Sequence, residues 1–199
     1  MRVIAGQAKG QLLGAPQHGT RPTTDRVREA LFSALADWNG TGGAAAENQL
    51  DGCSFLDLYA GSGSVGIEAA SRGAEPVVAV EQARSAVKVL QANVESTNQA
   101  VMVVQSSVQA FLASPRSENW QRGFDIVWLD PPFNLDEASL SANCQGVLLG
   151  GWLAPGGLVV VQRSSRSPAP DWPADLADRW VKRYGESLVH FAQADDEEV

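Results

Sequence analysis

Short apolar runs alternate with amphipathic stretches over most of the chain. The runs are typical of buried strands, and stripes of apolar residues at intervals of three and four between them are typical of helices. The first predicted strand begins at Phe55, and the other predicted strands cover Val77–Val80, Val101–Val104, Phe124–Leu129, Leu158–Val161, Trp180–Arg183 and Leu188–Ala192. The first predicted helix begins at Thr24 or Asp25, and the other predicted helices cover Ser64–Arg72, Ala83–Thr97, Ser106–Leu112 and Glu137–Leu149. This alternation predicts a doubly wound α/β sheet, in which ligands bind beyond the carboxyl ends of the strands.

The two ends of the chain depart from this alternation. Val3–Gly6 and Gln11–Gly14 flank a turn that carries Lys9, which predicts a small β-hairpin. We divide the chain into an N-terminal hairpin and helix (1–38), a flexible connector rich in Gly and Ala (39–50), a main domain (51–193) and an acidic tail (194–199). The last two predicted strands flank Tyr184–Glu186 and should form an antiparallel pair at the edge of the sheet.

The strand that precedes Asp130-Pro131-Pro132-Phe133 ends abruptly at this tetrapeptide. Pro131 has no N–H and biases Asp130 away from helical dihedral angles, so the tip should be stiff and extended. The Asp130 carboxylate and the Pro131 carbonyl offer two acceptors, and Phe133 offers an aromatic face. Two acceptors beside a ring suit a planar exocyclic amine. We therefore interpret the tip as an amine-binding site, with a plain strand-to-loop turn as the alternative.

A glycine turn follows the first strand of the main domain. Gly61, Gly63 and Gly66 spell the dinucleotide-binding fingerprint, and Glu81 lies about twenty residues further on, where a ribose could be held. A nicotinamide oxidoreductase is therefore one candidate. Asp57, four residues before Gly61, argues against it. A carboxylate at that place repels a pyrophosphate but compensates the ammonium group of S-adenosylmethionine.

The charged residues are unevenly distributed. The 199 residues carry a net charge of -8, which by itself argues against a nucleic-acid partner. Residues 1–28 nevertheless contain five basic side chains and one acid, whereas four of the last five residues are acidic. We therefore expect a basic patch that faces nucleic acid at the N-terminus and a solvated tail at the other end, with an ordinary solvated face as the alternative for the patch.

The sequence contains no pattern typical of a metal site, a disulfide framework or a membrane protein. Cys53, Cys144, His18 and His190 are isolated along the chain and lack metal-ligand spacing. No apolar run reaches membrane-spanning length, and the N-terminus lacks the pattern of a signal peptide. We expect a cytoplasmic monomer that binds no metal.

Five stretches of the sequence together resemble the RsmD family of bacterial 16S ribosomal RNA guanine-N2 methyltransferases. They are Arg21–Phe32, Leu56–Gly63, Asp130–Phe133, Leu153–Gly157 and Arg183–Gly185, and the resemblance extends from Arg2 to about Ala192. The N-terminal stretch is the discriminating one, because the glycine turn and the Asp-Pro-Pro-Phe tip occur in many methyltransferases. The resemblance implies a class I S-adenosylmethionine-dependent methyltransferase fold, Rossmann-like, with a seven-stranded, mostly parallel sheet and an antiparallel last strand.

The resemblance also implies the roles of particular residues. S-adenosylmethionine would be the methyl donor, S-adenosylhomocysteine the product, and one guanine of 16S rRNA the acceptor, within the small ribosomal subunit or an assembly intermediate. Donor-binding residues would be Asp57, Tyr59, Ala60, Gly61, Ser62, Gly63, Glu81, Gln82, Ser107, Val108 and Asp130. RNA-binding residues would be Arg2, Lys9, Arg21, Thr23, Arg26 and Arg28, and catalytic residues would be Asp130, Pro131, Pro132 and Phe133, within a catalytic methyltransferase domain at 51–193.

Two positions depart from the family pattern. Ser106-Ser107 stand where the family usually has Gly-Asp, so an acidic contact to the adenine amino group is missing, although a serine hydroxyl can still accept a hydrogen bond. Phe133 replaces the more common tyrosine and keeps the stacking surface.

The chemistry of guanine N2 determines which groups the tip must provide. This nitrogen is a poor nucleophile because its lone pair is delocalised into the ring. We expect the acceptors of Asp130 and Pro131 to favour a pyramidal nitrogen, with the flipped base stacked on Phe133 and the nitrogen about 3 Å from the methyl carbon. One alternative is a DNA adenine-N6 methyltransferase, which presents a similar amine to the same tetrapeptide. Another is a non-enzymatic RNA-binding protein in which Ser107 marks a decayed donor site.

Overall fold

The computed structural model describes residues 1–15 and 23–195, and these ranges carry the seven strands of a mixed sheet. The chain divides into two compact units, Met1–Gln105 and Ser106–Val199. The predicted boundaries at residues 38 and 50 do not coincide with this division. Most of the predicted acidic tail lies outside the described residues. Within the described ranges, no helix has both the length and the apolar character needed to cross a bilayer.

The first unit is built on three parallel strands, β1 (Phe55–Leu58), β2 (Val77–Glu81) and β3 (Val101–Gln105). Their order is β3-β2-β1, with all carboxyl ends at the same edge. Every residue of β1 and β2 is buried, as the continuous apolar runs of a parallel sheet predict. The unit also contains α1 (Asp25–Trp38), α2 (Ser64–Ser71) and α3 (Arg84–Thr97).

The helix prediction for the N-terminal region is confirmed. The Thr24 side chain accepts a hydrogen bond of 3.4 Å from the N–H of Val27 and so caps α1. Leu31, Phe32 and Leu35 are fully buried along one side of this helix. The apolar stripe therefore anchors α1 in the core of the first unit.

Residues 1–15 are held by polar side chains of α2. Glu68 is fully buried, and its two carboxylate oxygens accept hydrogen bonds from the N–H groups of Ile4 at 2.7 Å and Ala5 at 3.0 Å. Arg72 donates through its Nε atom to the same carboxylate at 2.9 Å. The buried charge is thus compensated by a cation and two backbone donors, which is the arrangement that such burial requires.

The predicted N-terminal hairpin is present as one antiparallel bridge, between Arg2 and Leu12, with backbone hydrogen bonds from the N–H groups of Val3, Gly10 and Leu13 to the carbonyls of Gln11, Val3 and Met1. The turn between its two arms also bonds to α2. The N–H of Ala8 donates to the Ser71 hydroxyl at 2.9 Å, and the N–H of Gln7 donates to the Ser71 carbonyl at 2.8 Å. The turn therefore packs against the helix.

The predicted connector at residues 39–50 contains local structure. A short 3₁₀-helix covers Ala46–Asn48, and the Thr41 hydroxyl donates to the Gln49 carbonyl at 2.5 Å. Leu50 is fully buried. The segment therefore makes its own hydrogen bonds and places one apolar side chain in the core, while its flexibility stays a prediction.

The second unit contains four strands, β4 (Phe124–Leu129), β5 (Leu153–Ser164), β6 (Asp178–Tyr184) and β7 (Ser187–Gln193). Their order is β4-β5-β7-β6. β4 and β5 are parallel, and β7 is antiparallel to both of its neighbours, so the predicted antiparallel last strand is confirmed. The unit also contains α4 (Val108–Leu112) and α5 (Glu137–Leu149).

Strand β5 is much longer than predicted. Its first residue, Leu153, pairs with Phe124, whereas Ile126 pairs with Leu158, so the sequence Pro155–Gly157 forms an irregularity within the strand instead of a turn before it. At its other end β5 extends to Ser164, three residues beyond the last pairing with β4. This extension pairs with β7.

Candidate functional site

The turn after β1 reverses the chain through three positive φ angles. Tyr59, Gly61 and Gly63 have φ values of 67°, 57° and 78°. A tyrosine in this region is strained, and such strain is concentrated at binding sites. The φ angle of Gly63 favours glycine, and a Cβ atom there would also displace the end of the Leu90 side chain, whose Cδ1 would lie 2.0 Å away.

Two buried carboxylates hold this turn from the ends of β1 and β2. Asp57 is 1% exposed, and its Oδ2 atom accepts a hydrogen bond of 2.9 Å from the N–H of Gly66, in the first turn of α2. Glu81 is 8% exposed and accepts from the N–H groups of Gly61 at 2.9 Å and Ala83 at 2.7 Å. The first unit therefore brings Asp57, Glu81 and the glycine turn together, while their binding of a donor stays a prediction.

Asn93 of α3 connects the glycine turn with the N-terminal segment. Its Nδ2 atom donates to the carbonyl of Ser62 at 2.9 Å and to the carbonyl of Gly14 at 3.0 Å. Its Oδ1 atom accepts from the N–H of Gly14 at 2.7 Å. Asn93 is 4% exposed, so this amide is a buried clamp between two loops.

The Asp130–Phe133 tip follows directly on the last residue of β4. Asp130 is half-buried and Pro131 is buried, whereas the Phe133 ring is 69% exposed. An exposed ring is available for stacking on a planar ligand. The tip thus presents a carboxylate and an open aromatic face from one short segment.

The tip is held at both ends. Leu129, which precedes it, pairs with Val161 of β5. After the tip, the N–H of Leu135 donates to the Pro132 carbonyl at 2.9 Å, and the Asp136 side chain caps α5. A strand end and a capped helix therefore restrict the conformations open to the tip, as the two prolines predict.

The serines that depart from the family pattern have structural partners. The Ser107 hydroxyl accepts a hydrogen bond of 3.2 Å from the N–H of Ala110 and so caps α4. Val108, which follows, is 3% exposed. Gln82, also predicted to contact the donor, is exposed at the end of β2. The Ser107 hydroxyl is thus already engaged in capping, and a role toward adenine stays a prediction.

The predicted RNA-binding residues fall into two groups. Arg2, Lys9 and Arg26 are exposed and therefore open to RNA. Thr23 is 6% exposed, and Arg28 is fully buried with its guanidinium bonded to Arg2 and Asp25, so the expectation that Arg28 belongs to an outward-facing basic patch is wrong. Arg21 lies outside the described residues.

Arg28 joins three segments of the first unit. Its Nη2 atom donates to the Arg2 carbonyl and to Oδ1 of Asp25, both at 2.7 Å, and its Nη1 atom donates to the Ser64 carbonyl at 3.4 Å. Burial lowers the pKa of the guanidinium, while the charges of Glu68 and Asp25 oppose this shift. Arg28 lies next to the apolar stripe of α1, and the buried face of this helix is wide enough to include it.

Sequence reasoning missed the roles of Glu68 and Asn93. Asn93 falls three residues after the buried Leu90, on the core-facing side of α3. Glu68 lies within α2, all of whose residues are buried. A polar side chain at a core-facing helical position was the available signal, because such a group must find a buried partner.

Comparison with known sequences gives a family match over nearly the whole chain. A family described as Conserved hypothetical protein 95 matches residues 1–193. A Haemophilus influenzae protein named Ribosomal RNA small subunit methyltransferase D is 36% identical over 175 residues, which cover 84% of this chain and 81% of that protein.

Solved structures confirm the predicted fold class. An Escherichia coli protein provisionally named a methyltransferase has a TM-score of 0.79 at 32% identity, covering 99% of both chains. An RNA methyltransferase of Salinibacter ruber, solved with S-adenosyl-L-homocysteine, has a TM-score of 0.61 at 19% identity, covering 90% of this chain and 97% of that one. At this identity the second likeness concerns the fold alone.

Proposed function

The chain belongs to the Ribosomal RNA small subunit methyltransferase D family, described as Conserved hypothetical protein 95, and from this premise we propose that it methylates the exocyclic N2 of one guanine in 16S rRNA. The donor is S-adenosylmethionine. The observation that carries the proposal is the Asp130–Phe133 tip, in which a half-buried carboxylate precedes a 69% exposed aromatic ring. This is the chemistry that recognises a flipped base through its amino group.

The residues of the first unit fit the donor. The tight turn at Tyr59–Gly63 leaves backbone N–H groups at the start of α2, where an anionic carboxylate is favoured. Asp57, 1% exposed beside this turn, supplies the negative charge that the ammonium group of an amino acid requires. Glu81 stands at the end of the neighbouring strand, the position from which a carboxylate binds ribose hydroxyls in nucleotide-binding sheets.

Bound S-adenosylmethionine supplies an electrophilic methyl carbon attached to a sulfonium. The chain's own contribution lies at the tip. The Asp130 carboxylate and the Pro131 carbonyl accept hydrogen bonds from the two N–H groups of the amine. These hydrogen bonds favour a pyramidal nitrogen, whose lone pair is no longer conjugated with the ring. Phe133 stacks on the base and replaces the stacking that the base loses on leaving RNA.

The proton balance follows from these contacts. Transfer leaves the nitrogen with one proton too many, and the Asp130 carboxylate is the nearest base on the tip that can accept it, directly or by way of water. No covalent bond to the protein is needed for this sequence. The expected product is a guanine with one methyl group on N2.

Methyl transfer to under-modified small subunits tests the proposal. The full chain is incubated with a labelled donor and with subunits from cells that lack the modification, and the labelled nucleotide is mapped. Parallel reactions contain naked 16S rRNA and duplex DNA. Label on N2 of one guanine supports the proposal, whereas label on adenine N6 of DNA, or no label on any substrate, contradicts it.

A further inference from the structure

Arg163 is a buried arginine with no protein partner in the described part of the chain. It is 7% exposed, and its Nε atom is enclosed without a hydrogen bond. Among residues 1–15 and 23–195, none of the ion pairs involves its guanidinium. An enclosed guanidinium nitrogen without a hydrogen bond is unfavourable, because its N–H loses hydration and gains no partner in exchange. Arginines that persist in this state are candidates for binding an anion from outside.

Arg163 and the Asp130–Phe133 tip both follow closely on the last pairing of β4 with β5. The last pairing of β4 with β5 joins Leu129 to Val161, and Asp130 is the next residue after Leu129. Arg163 is two residues beyond Val161, about 7 Å further along β5. Two residues of one strand that are two positions apart point to the same side, so Arg163 projects from the same face as Val161, shortly beyond the pairing at which the tip begins.

The face of the sheet around Arg163 is basic. Cross-strand pairs share a face, and Arg163 pairs with Leu188, which pairs in turn with Arg183 of β6. His190 lies two residues from Leu188 and therefore on this face as well. The positions that alternation assigns to this face of β5, β6 and β7 include no Asp or Glu; they are Val159, Val161, Arg163, Arg179, Val181, Arg183, Leu188, His190 and Ala192.

Arg179, on the same face, is an arginine with a structural role. It donates through Nε to the Leu176 carbonyl and through Nη2 to the Pro173 carbonyl. These bonds hold the loop before β6. Arg163 makes no comparable contact, although it is more deeply buried. The difference indicates that loop anchoring does not explain Arg163.

His190 leaves room for a further contact. Its Nε2 atom is buried and has no hydrogen-bond partner. Burial, and after it the charge of Arg163, lowers the pKa of its imidazole, so the ring is neutral at neutral pH. Gln162, adjacent to Arg163, has an enclosed Oε1 atom that also lacks a partner. Unsatisfied polar groups of this kind are rare in folded proteins and are often found where a ligand binds.

We propose that Arg163 binds a backbone phosphate of the RNA substrate, next to the nucleotide whose base the Asp130–Phe133 tip holds. The inference rests on the proposed function. A guanidinium presents two parallel N–H groups to a phosphate and is suited to a desolvated contact. Phosphate contacts fix the register of a nucleic acid on a protein. Arg163 would thus position the RNA backbone beside the flipped base.

The first experiment measures the affinity of the full chain for 16S rRNA over a range of salt concentrations. Each phosphate contact contributes about 0.7 to 0.9 to the slope of log affinity against log salt. We expect Arg163→Met to weaken binding by about tenfold and to reduce the slope by about this amount. Arg166→Met is the matched control, since Arg166 is three residues away, 84% exposed and paired with Glu186.

The second experiment separates binding from a structural role. If Arg163 stabilised the fold, Arg163→Met would lower the Tm. We expect the Tm to be unchanged or raised, because an apolar side chain of similar length replaces an unpaired charge. Arg163→Lys keeps the charge and should retain most of the salt slope. A lower Tm for Arg163→Met together with an unchanged salt slope would overturn the inference.

Donor binding identifies which anion Arg163 receives. The carboxylate of S-adenosylmethionine is the other anion in the reaction, so donor affinity is measured for the same variants by tryptophan fluorescence. Unchanged donor affinity with weakened RNA binding supports the phosphate contact. Weakened donor affinity with unchanged RNA binding contradicts it.

The proposed function and this inference can fail separately. If the unaltered chain methylates small subunits but Arg163→Met keeps its RNA affinity and salt slope, the inference fails alone. If the unaltered chain transfers no methyl group, the proposed function fails, and RNA affinity still reports whether Arg163 contacts phosphate.

Discussion

The N–H of Gly61 donates a hydrogen bond of 2.9 Å to Oε2 of Glu81, at the end of the neighbouring strand. The second oxygen of the same carboxylate accepts from the N–H of Ala83 at 2.7 Å. Glu81 therefore holds the glycine turn in place before any ligand arrives. A site that is fixed in advance loses less entropy on binding.

Glu81→Gln tests this preorganisation. An amide can accept through one atom only, so its NH2 group would face a backbone N–H of Gly61 or Ala83. We expect the free energy of unfolding to fall by about 1–3 kcal/mol. Donor affinity should fall by about tenfold or more, because the proposed contact of Glu81 with the donor ribose would also be lost. Isothermal titration calorimetry and urea unfolding measure the two effects.

Glu95→Gln is the matched control for Glu81→Gln. Glu95 is an exposed carboxylate on α3, so the same chemical change should leave both quantities unaltered. Normal donor affinity in Glu81→Gln would remove Glu81 from the donor site, even if stability fell.

Asp130→Ala should lower the rate of methyl transfer by about 100-fold or more, because a preorganised acceptor of the amine is lost. Donor affinity should remain near its normal value. Single-turnover methyl transfer and donor titration separate these quantities. Asp125→Asn, at the opposite end of β4, is the control. Near-normal transfer by Asp130→Ala would exclude Asp130 from the mechanism.

The architecture could be predicted because strands and helices differ in their apolar period. The buried runs of β1, β2 and β4 and the stripes of α1 and α3 gave elements whose limits agree with the structure to within a few residues. The extent of β5 could not be predicted, since Pro155–Gly157 reads locally as a turn. Pairs of β5 with β4 on both sides of these residues, Leu153 with Phe124 and Leu158 with Ile126, include them in the strand, and Gly156 and Gly157 form backbone hydrogen bonds with Asp195 and Ala194.

The site could be predicted only where a motif carries the chemistry. The glycine turn and the Asp-Pro-Pro-Phe tip are contiguous, so their residues were identified from sequence. The burial of Arg28 and Arg163 could not be predicted, because local sequence does not show whether distant segments cover a charged side chain. Arg28 is enclosed by Arg2 and Ser64, and the exposure of Arg163 depends on strand pairing with β7.

Arg26 and Arg28 should respond differently to substitution. Arg26→Gln should leave stability unchanged and reduce the salt slope of RNA binding by about 0.7 to 0.9 if Arg26 meets one phosphate. Arg28→Met should lower the free energy of unfolding by about 2–3 kcal/mol, since carbonyls of Arg2 and Ser64 lose a charged donor. Equal stability of the two variants would contradict the buried role of Arg28.

Asn93→Leu should weaken both the fold and the donor site. The change leaves the N–H and carbonyl of Gly14 and the carbonyl of Ser62 without their partner. We expect a loss of about 1–3 kcal/mol in unfolding free energy and a lower donor affinity, because the glycine turn is released on one side. Gln91→Leu, at an exposed position of α3, is the control. Unchanged donor affinity would show that the clamp serves stability alone.

His190 should make stability depend on pH. In the unfolded chain its pKa is about 6.5. In the folded chain burial lowers the pKa, and the charge of Arg163 lowers it further. The unfolded state therefore binds the proton more readily, and the free energy of unfolding falls as the pH drops below about 6.5. Urea unfolding at pH 7.5, 6.5 and 5.5 should give a weaker pH dependence for His190→Gln than for the unaltered chain; equal dependences would contradict this assignment.

The clamp formed by Asn93 has a consequence for the order of assembly during synthesis. Gly14 precedes its partner by 79 positions in the chain. At about 5–20 residues per second, Gly14 is made roughly 4–16 seconds before the residue that holds it. Glu68 and Ser71, which bind the backbone of Ile4, Ala5 and Ala8, are made before Asn93. The segment made first therefore docks in two stages, first on α2 and then, at Gly14, on α3.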